Sequence, residues 1–157
     1  MIDSHDKAKQ YAFKLLSYRG RSEKELKERL AKKGISKTVV SSTIQDLKHL
    51  GLIDDRSLAE TLKREALSTK LLSQEGAKKL LLHRGIPHEI IKQVLDYDET
   101  VDISNARRLV NKKLKTLRNY SSWHVKRRLY SLLSRRGYSS DTIQKVLKEN
   151  FSKEEDS

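Results

Sequence analysis

The sequence predicts an all-α fold of three tandem three-helix repeats, residues 1–53, 54–97 and 98–157, forming an elongated, curved solenoid. Three observations predict it. First, a leucine stands four residues before a glycine three times, at Leu30 and Gly34, Leu81 and Gly85, Leu133 and Gly137. Each glycine follows a basic residue (Lys33, Arg84, Arg136) and precedes an apolar one (Ile35, Ile86, Tyr138). This is a helix end: glycine takes the left-handed conformation that closes a helix, and basic side chains in the last turn face its negative pole. Second, the register continues on both sides. Val40 and Ile44, Ile91 and Leu95, Ile143 and Leu147 follow the glycines at six and ten residues, and Leu26, Ala77 and Leu129 precede them by eight. Glycines 51 and 52 residues apart give a period in the range of helical repeat arrays. Third, one proline, six glycines and almost no alternating β-branched run argue against sheet. A repeat of this size buries only a thin core, so neighbours are expected to share apolar surface.

The first helix spans residues 3–18, with Ala8, Tyr11, Ala12, Leu15 and Leu16 on one apolar stripe, and Arg19 and Gly20 break it. Ser22 followed three residues later by Glu25 is a capping box that starts a second helix reaching Lys33. Ser36 caps a third, with Val40, Ile44 and Leu47 inward and Gly51 as its stop. Asp54 and Asp55 then precede Leu58, Ala59, Leu62 and Ala66 at helical spacing. Adjacent acids at a helix start are a cap and a dipole partner; a metal reading lacks further ligands at suitable spacing. Ser73 caps a helix over residues 74–84, and Pro87 suits the first turn of the next, whose inner face is Ile90, Ile91, Val94 and Leu95. From Asp98 a helix carries Ala106, Val110, Leu114 and Leu117 on one side and Arg108, Lys112 and Lys115 opposite. The next carries Val125, Leu129, Leu132 and Leu133 inward and Arg127, Ser131 and Arg135 outward. A last helix from Ser140 to about Phe151 ends in a polar tail, SKEEDS, expected to fray.

Charge is the main functional signal. The formal net charge is +13, with 35% of residues charged, which points to a polyanionic partner or an acidic protein surface. The excess is uneven. Residues 1–53 hold twelve basic and six acidic side chains, 54–97 eight and seven, and 98–157 fourteen and eight. Between Asp102 and Asp141 lie eleven Lys or Arg and no acid: Arg107, Arg108, Lys112, Lys113, Lys115, Arg118, Lys126, Arg127, Arg128, Arg135 and Arg136. Such a stretch cannot neutralise itself by i, i+4 pairs, so its field reaches outward toward phosphate or carboxylate. With Arg21, Lys32 and Lys33 of the first repeat, these are the candidate binding residues. Trp123, flanked by Tyr120, His124 and Tyr130, is read as an amphipathic anchor packing on the neighbouring repeat, with stacking on a base as the sharper alternative.

Other chemistries lack their residues. No cysteine is present, so disulfide and thiolate chemistry are excluded and a reducing cytoplasm is the natural setting. The glycines are spread singly rather than clustered as a phosphate loop requires, and histidines 5, 49, 83, 88 and 124 are scattered. No nucleophile elbow appears. The expectation is a non-enzymatic protein without cofactor or metal, and without the apolar run of roughly 18 residues that a membrane span needs.

SEKELKERLAKKGI, then GLIDDRSLAETL, then LLLHRGIP and LLSRRGYS together resemble the RecX family, regulators of bacterial RecA. The resemblance runs from about Tyr11 to Leu147 and rests most on Ser22, Glu25, Leu26, Leu30 and Gly34, and on Gly51, Leu52, Ile53, Asp54, Asp55 and Ala59. Leu58 departs from it, since the family usually shows an aromatic residue there, and the third repeat matches more loosely. The resemblance implies a crescent of three three-helix repeats lying in the groove of the RecA filament on single-stranded DNA, and the chain is expected to be a monomer. There it would block filament growth and restrain strand exchange, ATP hydrolysis and co-protease activity. Non-specific contact with single- and double-stranded DNA is expected from the basic surface. A rival reading is a helix-turn-helix binder of duplex DNA, because Leu26, Leu30, Gly34, Ile35, Val40 and Ile44 also fit a helix, a tight turn and a recognition helix.

Overall fold

In the computed structural model, which describes the backbone of residues 3–155 and the side chains of residues 3–151, every regular element is helical. The elements are α1 (Ser4–Tyr18), α2 (Glu23–Lys32), α3 (Lys37–His49), α4 (Asp55–Arg64), α5 (Gln74–His83), α6 (His88–Val94), α7 (Glu99–Leu114), α8 (Ser122–Arg135) and α9 (Ser140–Glu155). Helix α4 runs on into a π-helical turn, Glu65–Thr69, which the helical stripe read over Leu58, Ala59, Leu62 and Ala66 does not predict. The helix expected to stop near Phe151 continues to Glu155, so the tail does not break there; Asp156 and Ser157 lie outside the described residues, as do Met1 and Ile2. Among the described residues no helix is long and apolar enough to cross a membrane.

The three predicted helix ends form as expected. Ile35, Ile86 and Tyr138 donate their N–H to Leu30, Leu81 and Leu133 carbonyls at 3.2, 3.0 and 3.1 Å, the six-to-one bond of a glycine-terminated helix. A fourth copy closes α3, where Leu52 N–H donates to the Leu47 carbonyl at 2.9 Å and Gly51 has φ +72°. Ser22 and Glu25 make the reciprocal capping box, and Ser36, Asp98 and Ser121 cap α3, α7 and α8.

Packing divides the chain into two compact units: residues up to Leu62 with Leu81–Val94, and Lys63–Leu80 with everything from Leu95. The second sequence repeat is therefore shared, because α4 and α5 each contribute to both units. In the first unit α1 and α2 pack on α3 around Ala8, Ala12, Leu15, Leu26, Leu30, Ile44 and Leu47. In the second, α7 and α8 pack on α9 around Val110, Leu129, Leu133, Ile143 and Val146.

Each unit contains the same joint, in which the glycine end of one repeat's second helix sits against the capped start of the preceding repeat's. In the first unit a Cβ on Gly85 would lie 2.7 Å from Ser22 Oγ. Arg84 donates to both Glu25 carboxylate oxygens at 3.3 and 3.2 Å and to the Gly20 carbonyl at 2.8 Å. Burial alone would raise the Glu25 carboxyl, but the Ser22 N–H and Arg84 outweigh it and hold it below its usual range. The acid pair has two roles here. Asp54 accepts from Ser57 N–H at 3.1 Å and caps α4, whereas Asp55 accepts from Glu23 N–H at 2.9 Å and so caps α2. Burial, with the neighbouring Glu23 carboxylate, raises the Asp55 carboxyl despite that hydrogen bond.

In the second unit a Cβ on Gly137 would lie 2.6 Å from Ser73 Oγ, and Ser73 N–H donates to the Arg136 carbonyl at 3.0 Å. Here the segment entering α5 is held by carbonyl contacts. Asn105 Nδ2 donates to Leu67 at 3.0 Å, Arg136 to Lys70, and the Tyr138 hydroxyl to Leu71 at 2.6 Å. Gln74 closes the joint, donating from its backbone to Asp102 Oδ1 at 2.9 Å and from its amide to the Asp98 carbonyl at 2.6 Å.

A candidate nucleic-acid interface on the second unit

The acid-free stretch occupies α7, the turn after it and α8, so the fold decides which of its cations face water. An open groove of about 650 Å³ runs along α8 beside the end of α7. Leu117, Leu129 and Leu132 supply its apolar floor, Lys113, Arg127, Arg128 and Arg135 its charge, and Trp123 and His124 one end. On α8 the lining positions 124, 127, 128, 131 and 135 are three or four apart and form one stripe beside the buried stripe of Val125, Leu129 and Leu133. No acid lines it, and none of the four cations has a carboxylate partner among the described residues.

Local structure adds to the positive potential. Helix α8 has no acid in its first turn, so its positive pole stays uncompensated at the groove. Ser121 Oγ caps that end, accepting from His124 N–H at 3.4 Å. The end of α7 tightens, with Thr116 N–H and hydroxyl both bonded to the Lys113 carbonyl at 3.0 and 2.9 Å, and this places Lys113 and Thr116 on the groove wall.

The other candidate residues separate by environment. Arg108, Lys112, Lys115 and Arg118 are exposed but outside the groove lining, as is Lys126. Arg107 is bound to Glu149 of α9, with Nη2 to Oε1 at 2.6 Å; these hydrogen bonds hold the Glu149 carboxyl below its usual range. Its expected freedom is thus corrected: an acid 42 residues away does what no local acid does. Arg136 is half-buried and engaged by the Lys70 carbonyl, which makes it part of the joint. In the first unit Arg21 is half-buried, Lys32 is exposed, and Lys33 sits 4.9 Å over the Tyr11 ring.

Trp123 corrects a second expectation. It is not an anchor packed against a neighbour: it is 63% exposed, with Arg127 5.4 Å from its ring centroid and His124 edge-on at 5.1 Å. Tyr120 is likewise exposed, under Arg128 at 4.3 Å. The sequence reading places Arg127, Ser131 and Arg135 on this side and keeps Trp123, with His124 beside it, as the stacking alternative, but leaves out Thr116; the three-and-four spacing from 124 to 135 is the signal that joins His124 to the cations. Among the described residues no group of three His, Cys, Asp or Glu is placed to hold a metal ion.

Comparison with known proteins gives a consistent result. Residues 8–47 match the family model of the first three-helix domain of RecX, and residues 100–147 that of the third. The regulatory protein RecX of Amycolatopsis mediterranei is 30% identical over 95% of this chain and 86% of its own length. Those of Bacillus cytotoxicus and Bacillus pumilus are 31% and 32% identical, and there the chain spans 56% and 59% of the relative's length. The crystal structure of RecX from Lactobacillus salivarius superposes with a TM-score of 0.74 at 25% identity, covering 95% of this chain and 97% of that one. A second crystal structure, of a regulatory protein RecX, shares the fold with a TM-score of 0.71 at 24% identity, over 94% of this chain and 72% of its own. From its three-helix domains and from relatives aligned along nearly its whole length, the chain belongs to the RecX family of regulatory proteins.

Proposed function

We propose that this chain regulates the RecA filament as a cytoplasmic monomer, lying against the filament with the second unit's groove turned toward DNA phosphates. In doing so it restrains filament growth, strand exchange, ATP hydrolysis and co-protease activity. The observation that carries this reading is the groove of Lys113, Arg127, Arg128 and Arg135, lined by no acid and ending at the exposed Trp123 ring. Cations that are not neutralised internally gain by displacing the counterions of a polyanion, without reading its sequence. Family membership supports a regulatory role, and RecA as the partner follows from the family resemblance.

The test is a titration into RecA hydrolysing ATP on single-stranded DNA. Inhibition at sub-stoichiometric protein is expected; undiminished hydrolysis at excess protein overturns the proposal. A second reading, a duplex-specific helix-turn-helix binder, draws on α2, the glycine turn at Gly34 and α3. It predicts sharp preference for one duplex site, where the filament reading predicts sequence-tolerant binding.

A further inference from the structure

The same groove carries an aromatic element that phosphate binding does not need. An indole that only packed would lie against the core, yet Trp123 is 63% exposed at the end of a cationic channel, and Arg127 over its ring leaves most of that surface open. A channel of fixed positive charge with exposed ring faces is the arrangement that holds single strands: the backbone tracks the charge while unpaired bases stack. A duplex has its base faces occupied and gains only the electrostatic part.

Resting on the phosphate-binding reading above, we propose that Trp123 is a stacking platform for an unpaired nucleobase, so that the groove selects single-stranded polynucleotide over duplex. Arg127 serves both parts, since its guanidinium lies over the indole and within the channel that takes the phosphates. A further exposed ring, Tyr120 beneath Arg128, lies in the turn leading into α8 and suits a neighbouring base.

Trp123 is the chain's one tryptophan, so its fluorescence reports this site alone. The full-length chain is titrated with oligothymidylate, with the same strand as a duplex, and with heparin as a polyanion without bases. Oligothymidylate is expected to quench Trp123 strongly, and heparin and duplex much less at equal occupancy. By anisotropy of labelled strand, Trp123→Ala should lower the ratio of oligothymidylate to heparin affinity about tenfold, and Trp123→Phe should restore most of it. Equal quenching by all three ligands, or an unchanged ratio in Trp123→Ala, overturns the stacking proposal while leaving phosphate binding intact. Failure of all three to bind overturns both.

Discussion

At Gly137, as at Gly85 in the other joint, two demands meet of which Gly34 carries only one. Its φ of +94° disfavours any side chain, and a Cβ would stand 2.6 Å from Ser73 Oγ and 2.9 Å from the Gly76 nitrogen. Gly34 has φ +86° and nothing within 4 Å. Gly34→Ala should therefore cost about 1 kcal/mol, the backbone term alone, and Gly137→Ala about 3 kcal/mol, because the joint must also shift. Urea denaturation of the two variants measures the difference; equal costs would mean the close approach in the joint does not bear on stability. The neighbouring residue adds a pH dependence. Burial, and then the Asp102 carboxylate, push the Tyr138 hydroxyl well above its usual pKa, against weaker opposition from Arg136 and Arg108. The unfolded chain ionises this tyrosine near pH ~10 while the folded chain keeps the proton. Its contribution is thus complete below that pH and lost as pH rises further. The stability gap between the wild type and Tyr138→Phe should be flat from pH 7 to about pH 9 and narrow above about pH 10, measured by urea denaturation across that range. A gap that does not change with pH would contradict it.

The segment from α4 to α5 shows what an element-level reading of the sequence reaches and where it stops. The capping serines, the helix ends and the apolar faces of nearly every helix were legible, since each depends on residues within four positions of one another. The π-helical turn was not read, although buried Ala59, Leu62, Ala66 and Leu71 are three, four and then five apart, and the five-residue step marks it. What holds that turn lies far away in sequence: Asn105, Arg136 and Tyr138 take the carbonyls of Leu67, Lys70 and Leu71. These bonds fix a buried leucine at φ +53°, a conformation that only surrounding structure can impose on a residue with a branched side chain. Asn105→Ala would leave the Leu67 carbonyl without its amide partner. It should cost about 1–2 kcal/mol and speed hydrogen exchange at Lys70 and Leu72, whose N–H groups close the turn onto the Glu65 and Ala66 carbonyls. Unchanged exchange at both amides would show that the turn holds itself.

Over the whole molecule, a net charge of +13 states that a polyanion is attracted but not where it sits. The acid-free window of residues 103–140 narrowed the choice to one region, and a linear sequence could go no further, because neutralisation is decided by partners brought in by folding. Glu149 removes Arg107 and the Lys70 carbonyl removes Arg136 from the freely available set, while Lys113, Arg127, Arg128 and Arg135 converge on the groove. The count of converging charges has a measurable consequence. Each phosphate neutralised on a single strand releases about 0.7 of a counterion, so four contacts give a log-log slope of affinity against salt near −3, by order of magnitude. Arg127→Gln with Arg135→Gln removes two contacts and should bring the slope to about −1.5, with a loss of affinity that shrinks as salt rises. Both arginines are exposed on α8, so the fold is expected to be unaffected. Should the slope instead be near −7 and barely change in the double variant, the exposed cations outside the groove would carry the binding, with Arg108, Lys112, Lys115 and Arg118 the first to test.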